Sequence, residues 1–219
     1  MTLRRSLVTP PPGVEVGPDL LRLAVMELEG PSDPGLSRAH QKVKRARAQG
    51  RAAALVRALD WTAFEWFWVE GGLEWERRHD RSCLAGPRAA KAPGAPSAAV
   101  CLSVAQRDGW TCRYCGLRVV SPATLRALAN LLPAVLPLGR RTIEMHPAYD
   151  VLRCTWDHVV PHAAGGDNDA ANLVASCGTC NFNKGNCSLA ELGLIDPRDI
   201  VPVQGDWDGL SGRLGSKAP

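Results

Sequence analysis

The stretch TWDHVVPHAAGGDNDAANLVASCGTCNFNKGN, from Thr155 to Asn186, decides the fold of this chain. It contains two His, two Cys, three Asp and five Asn, but only one Leu and no Ile. A segment with so few core-forming side chains does not fold on apolar burial alone. Metal coordination can contribute on the order of 10 kcal/mol to folding. We therefore expect a bound metal to hold this part of the chain in one shape.

Two Cys-x-x-Cys pairs indicate where that metal binds. WTCRYCG supplies Cys112 and Cys115, and ASCGTCN supplies Cys177 and Cys180. Each pair forms a tight knuckle that presents two thiolates, and two knuckles complete the tetrahedral ligand set of structural zinc. Two unrelated knuckles or a redox dithiol are the alternatives, but a thioredoxin-like βαβ context is missing around both pairs. The four cysteines are therefore predicted to bind a structural Zn2+.

The composition is that of a soluble globular protein. The chain has 219 residues, of which 45% are hydrophobic, which is enough for one medium domain or two small ones. Its first residues, MTLRRSLVTPPPGVEVG, show no secretory signal, and the most apolar window, 125–139, is too short and too interrupted to span a bilayer. We therefore expect a cytoplasmic protein, in which the scattered cysteines are buried free thiols: Cys83, Cys101, Cys154 and Cys187.

Basic residues are concentrated in one segment of the chain. The net charge is +4, and because residues 96–219 are formally neutral, the whole excess lies in residues 1–95. Between Leu36 and Leu59 there are seven basic residues and no acidic one. Such a run is either a solvated helical face or a surface for a polyanion, and both interpretations stay open. The residues predicted to contact DNA are Lys42, Lys44, Arg45, Arg47 and Arg51.

The sequence divides into four parts by composition. Residues 1–84 are predicted to form a mainly helical, partly basic domain, 85–99 a flexible linker, 100–195 a domain with the paired cysteines, and 196–219 a flexible tail. In the first part, Trp61, Phe64 and Trp68 share one face of a predicted helix, which Gly71 and Gly72 are expected to end. Buried packing and stacking on nucleotide bases are the two uses considered for this face.

The motif RDGWTCRYCG…WDHVVPHAAGGDNDAANLVASCGTCNFNKG resembles the HNH endonuclease family, in its four-cysteine, zinc-bearing branch. The resemblance covers about residues 107–185 and implies an α+β fold, with a ββα-metal module in which a β-hairpin is followed by a helix. A helical insertion of about residues 117–152 separates the first cysteine pair from this hairpin. The N-terminal domain is similar, through HQKVKRARAQGRAAALVRALDW…EGG, to the winged-helix domains of some replication-type proteins.

The resemblance also implies a role for each polar residue of the motif. Hydrolysis of a phosphodiester needs a base that deprotonates water and a cation that offsets charge in the transition state. His158 corresponds to the general base, while Asp157 and Asn181 correspond to ligands of a catalytic divalent ion such as Mg2+ or Mn2+. Asn172 corresponds to the residue that orients the loop and the base. Because successive strand residues point to opposite faces, Asp157 and His158 point the same way only if the strand is bent.

Two further features of the motif concern Lys184 and the insertion. Lys184 matches a lysine common in this branch, and it either contacts the DNA backbone or pairs at the surface. The insertion opens with Ser121-Pro122, a favourable helix start, and continues with an apolar stripe. We expect a helix packed against the hairpin, and its apolar stripe consists of Leu125, Leu128, Leu132 and Leu136.

Together these features predict a metal-dependent HNH endonuclease that hydrolyses phosphodiester bonds, with double-stranded DNA as its partner; a homodimer is compatible with that function. The alternative is a catalytically inactive, zinc-stabilised nucleic-acid-binding protein, whose basic segment supplies the affinity and its salt dependence. An intact set of Asp157, His158 and Asn172 favours the enzyme, because a binding module has no need of these residues. The sequence does not distinguish nicking from double-strand cleavage.

Overall fold

The computed structural model describes residues 8–30, 34–78, 94–141 and 144–215. Cys83 and the predicted linker up to residue 93 lie outside these ranges. The helices are α1 (Pro12–Glu15), α2 (Gly17–Leu28), α3 (Arg38–Arg57), α4 (Trp61–Arg78), α5 (Ala98–Arg107), α6 (Pro122–Leu131), α7 (Pro147–Leu152), α8 (Gly178–Lys184) and α9 (Leu189–Leu192). The strands are β1 (Thr155–His158) and β2 (Leu173–Ser176), and in the described ranges short 3-10 helices cover His162–Ala164, Pro197–Asp199 and Arg213–Gly215.

The N-terminal part is built from helices α1 to α4. The hydroxyl of Ser37 caps α3 by accepting a hydrogen bond from the backbone of His40, and α3 packs mainly on α2. Helix α4 continues through Gly71 and Gly72 to Arg78, so the prediction that these glycines end it is wrong. Each glycine costs roughly 1 kcal/mol in a helix but keeps its backbone hydrogen bond. Every element within 8–30 and 34–78 is a helix, so the winged-helix resemblance is not confirmed for these residues.

The aromatic residues of α4 serve mainly as core. Phe64 and Phe67 are fully buried, whereas Trp61 and Trp66 are each 43% exposed. Phe64 lies so close to the start of α2 that a Cβ on Gly17 would come within 2.6 Å of its ring. Buried packing, one of the two uses considered for this face, is therefore confirmed for Phe64.

The two strands form an antiparallel hairpin that carries the polar motif. Asp157 lies opposite Val174 and His158 opposite Leu173. A two-stranded sheet is marginally stable by itself, and here α5 packs along both strands while α8 follows β2 directly and contacts β1. This is the strand–strand–helix order that the motif predicted.

The hydrophobic core is continuous between the N-terminal helices and the hairpin. Helix α4 contacts α7 and α8, and α2 also contacts α7. Through these contacts the buried residues of both parts form one cluster, which includes Val14, Leu21, Val56, Phe64, Leu152 and Val174. The helices before residue 78 therefore support the hairpin directly.

The predicted helix of the insertion is present as α6. Its apolar stripe is buried, as expected for a helix that packs along one face: Leu125, Leu128, Leu132 and Leu136. A principal contact of α6, however, is with the C-terminal segment around Arg213–Gly215. Thr124 Oγ1 donates a hydrogen bond of 2.6 Å to the Leu210 carbonyl, which fastens that segment to α6.

The prediction of a flexible tail is wrong for residues 196–215. Trp207 and Leu210 are buried, and Trp207 Nε1 donates a hydrogen bond of 2.9 Å to the Val119 carbonyl. Arg22 adds an ion pair of 3.0 Å to Asp206. The glycine-rich composition indicated disorder, but Trp207 and Leu210 pack in the core and hydrogen bonds and ion pairs hold the segment around them.

Candidate metal centre and active site

The four paired cysteines come together as one cluster. Their Sγ atoms all lie within 4.8 Å of one another, and the Sγ atoms of Cys115 and Cys177 are 3.8 Å apart. A tetrahedral site with Zn–S bonds of about 2.3 Å has S···S edges of about 3.8 Å. Within the described residues, this is the group of His, Cys and acidic side chains that comes close enough to hold a metal ion.

Local backbone structure brings the two knuckles to one place. The first is a tight turn in which Gly116, with a φ of +79°, donates to the carbonyl of Cys112. The second begins where β2 ends, because Cys177 is the N-cap of α8 and its sulfur accepts from the backbone of Cys180 at 3.4 Å. The backbone N–H of Arg113 donates to a carbonyl of β2 at 2.9 Å and fastens the first knuckle to the hairpin.

The electrostatics of the cluster favour a cation. Burial raises the pKa of Cys112, but hydrogen bonds from the other three sulfurs hold that pKa well below its usual range. The hydrogen bond with Cys112 in turn raises the pKa of Cys115 and of Cys180 well above the usual range. Buried thiolates this close together repel one another unless a cation lies between them, so the donor set fits Zn2+.

The remaining cysteines differ from one another. Cys101 and Cys154 are free and buried, as predicted. Cys187 is buried but disulfide-bonded, so the prediction of a free thiol is wrong there.

Asp157 lies in a buried polar cluster beside the first knuckle. Tyr114 donates its hydroxyl to Asp157 Oδ2 at 2.5 Å, and Lys184 Nζ lies 3.2 Å from the same oxygen. Burial raises the pKa of the Asp157 carboxyl, although Lys184 and Tyr114 oppose that effect. Burial and the charge of Asp157 raise the pKa of Tyr114 well above its usual value.

Lys184 is an internal cation in this structure. Its side chain is 0% exposed, and besides pairing with Asp157 it donates a hydrogen bond of 2.7 Å to the backbone carbonyl of His158. The prediction that Lys184 contacts DNA is therefore wrong, because a side chain directed into the protein and held by two acceptors does not reach a phosphate. Its neighbour Asn181, the predicted metal ligand, lies on the same helix with a half-buried side chain.

His158 has different contacts from Asp157, as expected for neighbours in a regular strand. Its Nε2 lies 2.9 Å from Asn168 Oδ1, and its ring centroid lies 3.7 Å from that of His162. Burial lowers the pKa of His158, and the nearby charge of Lys184 lowers it further. The hydrogen bond with Asn168 acts in the opposite direction and raises it. A half-buried imidazole that is neutral at pH 7 is suited to accept a proton.

Asn172 closes the loop between the strands. Its Oδ1 accepts the Val160 N–H at 2.9 Å, and its Nδ2 donates to the carbonyls of Val160 and Asp167 at 3.1 and 3.0 Å. The loop is tight, since a Cβ on Gly166 would lie 1.8 Å from the Val160 carbonyl oxygen. The side-chain contact to the imidazole is made by Asn168, which the sequence reasoning missed although it lies in the same loop.

The basic run lies on the exposed surface of α3. Arg51 forms an ion pair of 2.7 Å with Glu27 of α2, so part of its charge is compensated within the protein. The other four residues predicted to contact DNA are exposed: Lys42, Lys44, Arg45 and Arg47.

Each helix in the described ranges is too short or too polar to cross a membrane.

Comparison with known proteins identifies the central part of the site. The family model of the HNH endonucleases matches residues 146–187, which comprise β1, the loop with Asn172, β2 and α8. The first cysteine pair lies outside the matched stretch. No curated protein and no solved structure matches the chain. Residues 146–187 thus match the HNH endonuclease family, and the cluster of four cysteines, which includes the first knuckle, supports a zinc site.

Proposed function

We propose that the protein is a metal-dependent endonuclease that hydrolyses phosphodiester bonds in double-stranded DNA, with His158 as its general base. The HNH domain supports nuclease activity or nucleic-acid binding. The observation that favours the enzyme is the state of His158: Nε2 is fixed by Asn168, and within the described residues no hydrogen bond occupies Nδ1. A binding module would not require a neutral imidazole with one nitrogen held and the other open.

The reaction uses that open nitrogen. A water oxygen bonds to phosphorus while its proton passes to Nδ1 of His158, and the bond between phosphorus and the 3′ oxygen breaks. A water molecule from the solvent donates a proton to the departing 3′ oxygen, and the proton taken up by His158 returns to the solvent. General-base catalysis of this kind typically accelerates a reaction about 10²- to 10⁴-fold.

Asp157 and Asn181 are the proposed ligands of a divalent ion, Mg2+ or Mn2+. Their donors fit such ions, since carboxylate and amide oxygens are hard ligands. Asp157 Oδ1 has fewer contacts than Oδ2: it lies 3.4 Å from Lys184 Nζ, whereas Oδ2 contacts both Tyr114 and Lys184. When bound, the ion supplies positive charge for the phosphorane-like transition state.

The cysteine cluster is proposed to hold structural Zn2+. It joins the first knuckle, which carries Tyr114, to the start of α8, which carries Asn181 and Lys184. The ion would therefore fix both partners of Asp157 relative to the hairpin.

The exposed face of α3 is the proposed DNA-binding surface. Four of its exposed basic side chains are the predicted contacts Lys42, Lys44, Arg45 and Arg47, and a fifth, Arg51, contributes less because Glu27 pairs with it. Contacts of this kind supply salt-dependent affinity without sequence selectivity.

Cleavage of supercoiled plasmid tests the proposed function. Wild-type protein, His158→Ala and His40→Ala are compared with Mg2+, Mn2+ or EDTA; His40 is an exposed histidine outside the site. We expect wild type and His40→Ala to cut with a divalent ion and not in EDTA, and His158→Ala to bind DNA and retain zinc without cutting. Wild-type protein that binds DNA but leaves it intact under every condition would instead assign the chain as a binding module.

A further inference from the structure

We propose that Asn168 is a positioning residue that fixes the tautomer of His158, and that the backbone carbonyl of Gly94 in turn fixes Asn168. This inference rests on the proposed role of His158 as the base. It adds to the site a side chain and a backbone carbonyl that hold the base in the tautomer used by the proposed reaction.

The argument begins at Gly94. Asn168 Nδ2 lies 2.7 Å from the Gly94 carbonyl oxygen, and a carbonyl can only accept. The amide nitrogen of Asn168 must therefore face Gly94, which directs its Oδ1 towards the imidazole at 2.9 Å. Oδ1 also only accepts, so Nε2 of His158 must carry the hydrogen. A neutral imidazole has one ring hydrogen, and the lone pair that takes a proton is consequently on Nδ1.

His162 provides a contrast within the same loop. Its Nδ1 lies 2.8 Å from the carbonyl oxygen of Gly166, so in this ring the hydrogen is on Nδ1. The two rings, with centroids 3.7 Å apart, thus hold opposite tautomers. Asn168 contacts only one of them, which makes His162 an internal reference for any change at His158.

The hydrogen bond between Gly94 and Asn168 links the site to a distant part of the chain. Gly94 precedes α5 and is 74 residues from Asn168 in the chain, outside the stretch that matches the HNH family. The segment that leads from the N-terminal helices into α5 therefore takes part in orienting the base. Outer partners of functional histidines typically change activity about 10- to 100-fold when removed.

The experiment measures tautomer and catalysis separately on the full-length, zinc-loaded protein. Histidine 15N chemical shifts report the position of the ring hydrogen, at a pH where the imidazoles are neutral. The variants are Asn168→Ala, which removes both contacts, and Asn168→Asp, which keeps an acceptor for His158 but loses the donor to Gly94. Asn186→Asp is the matched control, because the same change is made at an exposed asparagine of the described chain.

In the wild type we expect His158 with hydrogen on Nε2 and His162 with hydrogen on Nδ1. Asn168→Ala should give a mixture of tautomers at His158 only, with kcat about 10- to 100-fold lower and KM little changed. Asn168→Asp should keep the Nε2–H tautomer but recover only part of kcat, because the donor to Gly94 is lost, and Asn186→Asp should match the wild type.

Two results would overturn the proposal: hydrogen on Nδ1 of wild-type His158, or an unchanged tautomer in Asn168→Ala, which together with a fall in kcat would indicate a purely structural role. Wild-type protein that does not cleave DNA would remove the proposed function, while the 15N shifts would still decide whether Asn168 sets the tautomer.

Discussion

Replacing Lys184 with Met tests whether the lysine is an internal anchor of the site. Lys184 is 0% exposed, its charge faces an Asp157 side chain that is 4% exposed, and it also donates to the carbonyl of His158. Methionine has nearly the same volume, so the cost of a cavity is small. The change therefore removes the charge and the two hydrogen bonds while largely keeping the packing.

The expected loss of folding stability depends on the charge that Asp157 keeps once Lys184 is replaced. Removing one partner of a buried ion pair typically costs about 3–5 kcal/mol, since the other charge stays buried. Here Tyr114 still donates to Asp157, and the pKa of Asp157, already raised by burial, rises further when Lys184 is absent. The carboxyl can then take up a proton, which limits the penalty. We therefore expect the free energy of unfolding to fall by about 3 kcal/mol, near the lower end of that range.

Urea unfolding of zinc-loaded protein measures this loss, with far-UV circular dichroism and Trp fluorescence as coincident probes. Lys42→Met is the matched control, because Lys42 is exposed on α3 and its replacement should change stability by less than about 0.5 kcal/mol. The double variant Asp157→Asn/Lys184→Met should recover part of the loss, as expected for a coupled pair. If Lys184→Met were as stable as Lys42→Met and instead bound DNA more weakly, Lys184 would be a phosphate contact and the buried-anchor interpretation would fail.

Three further predictions concern other parts of the molecule. Cys180→Ser should lose zinc and unfold or become insoluble, while Cys101→Ser, a control at a free cysteine outside the cluster, should keep one zinc per chain by metal analysis. Burial lowers the pKa of His146 to about 4 from 6.5, so the unfolded chain binds more protons in that window. Stability should therefore fall as pH falls from 6.5 towards 4, by up to about 3 kcal/mol. His146→Asn, which keeps an acceptor for the cap of α7, should flatten that dependence in unfolding experiments at several pH values. Neutralising the basic residues Lys42, Lys44 and Arg47 of α3 should weaken DNA binding, as measured by fluorescence anisotropy. The salt dependence should become shallower by about one unit of slope for each phosphate that is no longer neutralised. Unchanged affinity would exclude this surface from DNA binding.

The features predicted correctly from sequence are those with a local physical cause. The Cys-x-x-Cys spacing forms a knuckle whatever surrounds it, so the four-cysteine cluster was recognisable although its halves are far apart. The leucines of the insertion repeat with the period of a helix, and α6 buries them. The alternation of strand side chains likewise predicted that Asp157 and His158 have different surroundings.

The features that were missed depend on partners distant in the sequence. Lysine is usually exposed, and nothing near Lys184 indicates that Tyr114 and Asp157 form a polar site for it inside the protein. The polar, glycine-rich composition of the C-terminal segment conceals Trp207, which packs in the core and donates a hydrogen bond to the Val119 carbonyl. Composition reports the average tendency of a segment, whereas single long-range contacts decided both cases.

The position of Tyr114 connects the metal centre to the chemistry of the site. Tyr114 lies between the two cysteines of the first knuckle, and Lys184 lies at the end of the helix that the second knuckle begins. Both side chains converge on the Asp157 carboxylate. Zinc bound by the two knuckles would thus determine the distance between the hydroxyl and the ammonium that hold Asp157, and Lys184 carries that constraint on to the backbone of His158. For this reason loss of zinc should displace the base itself, even though His158 is not one of its ligands.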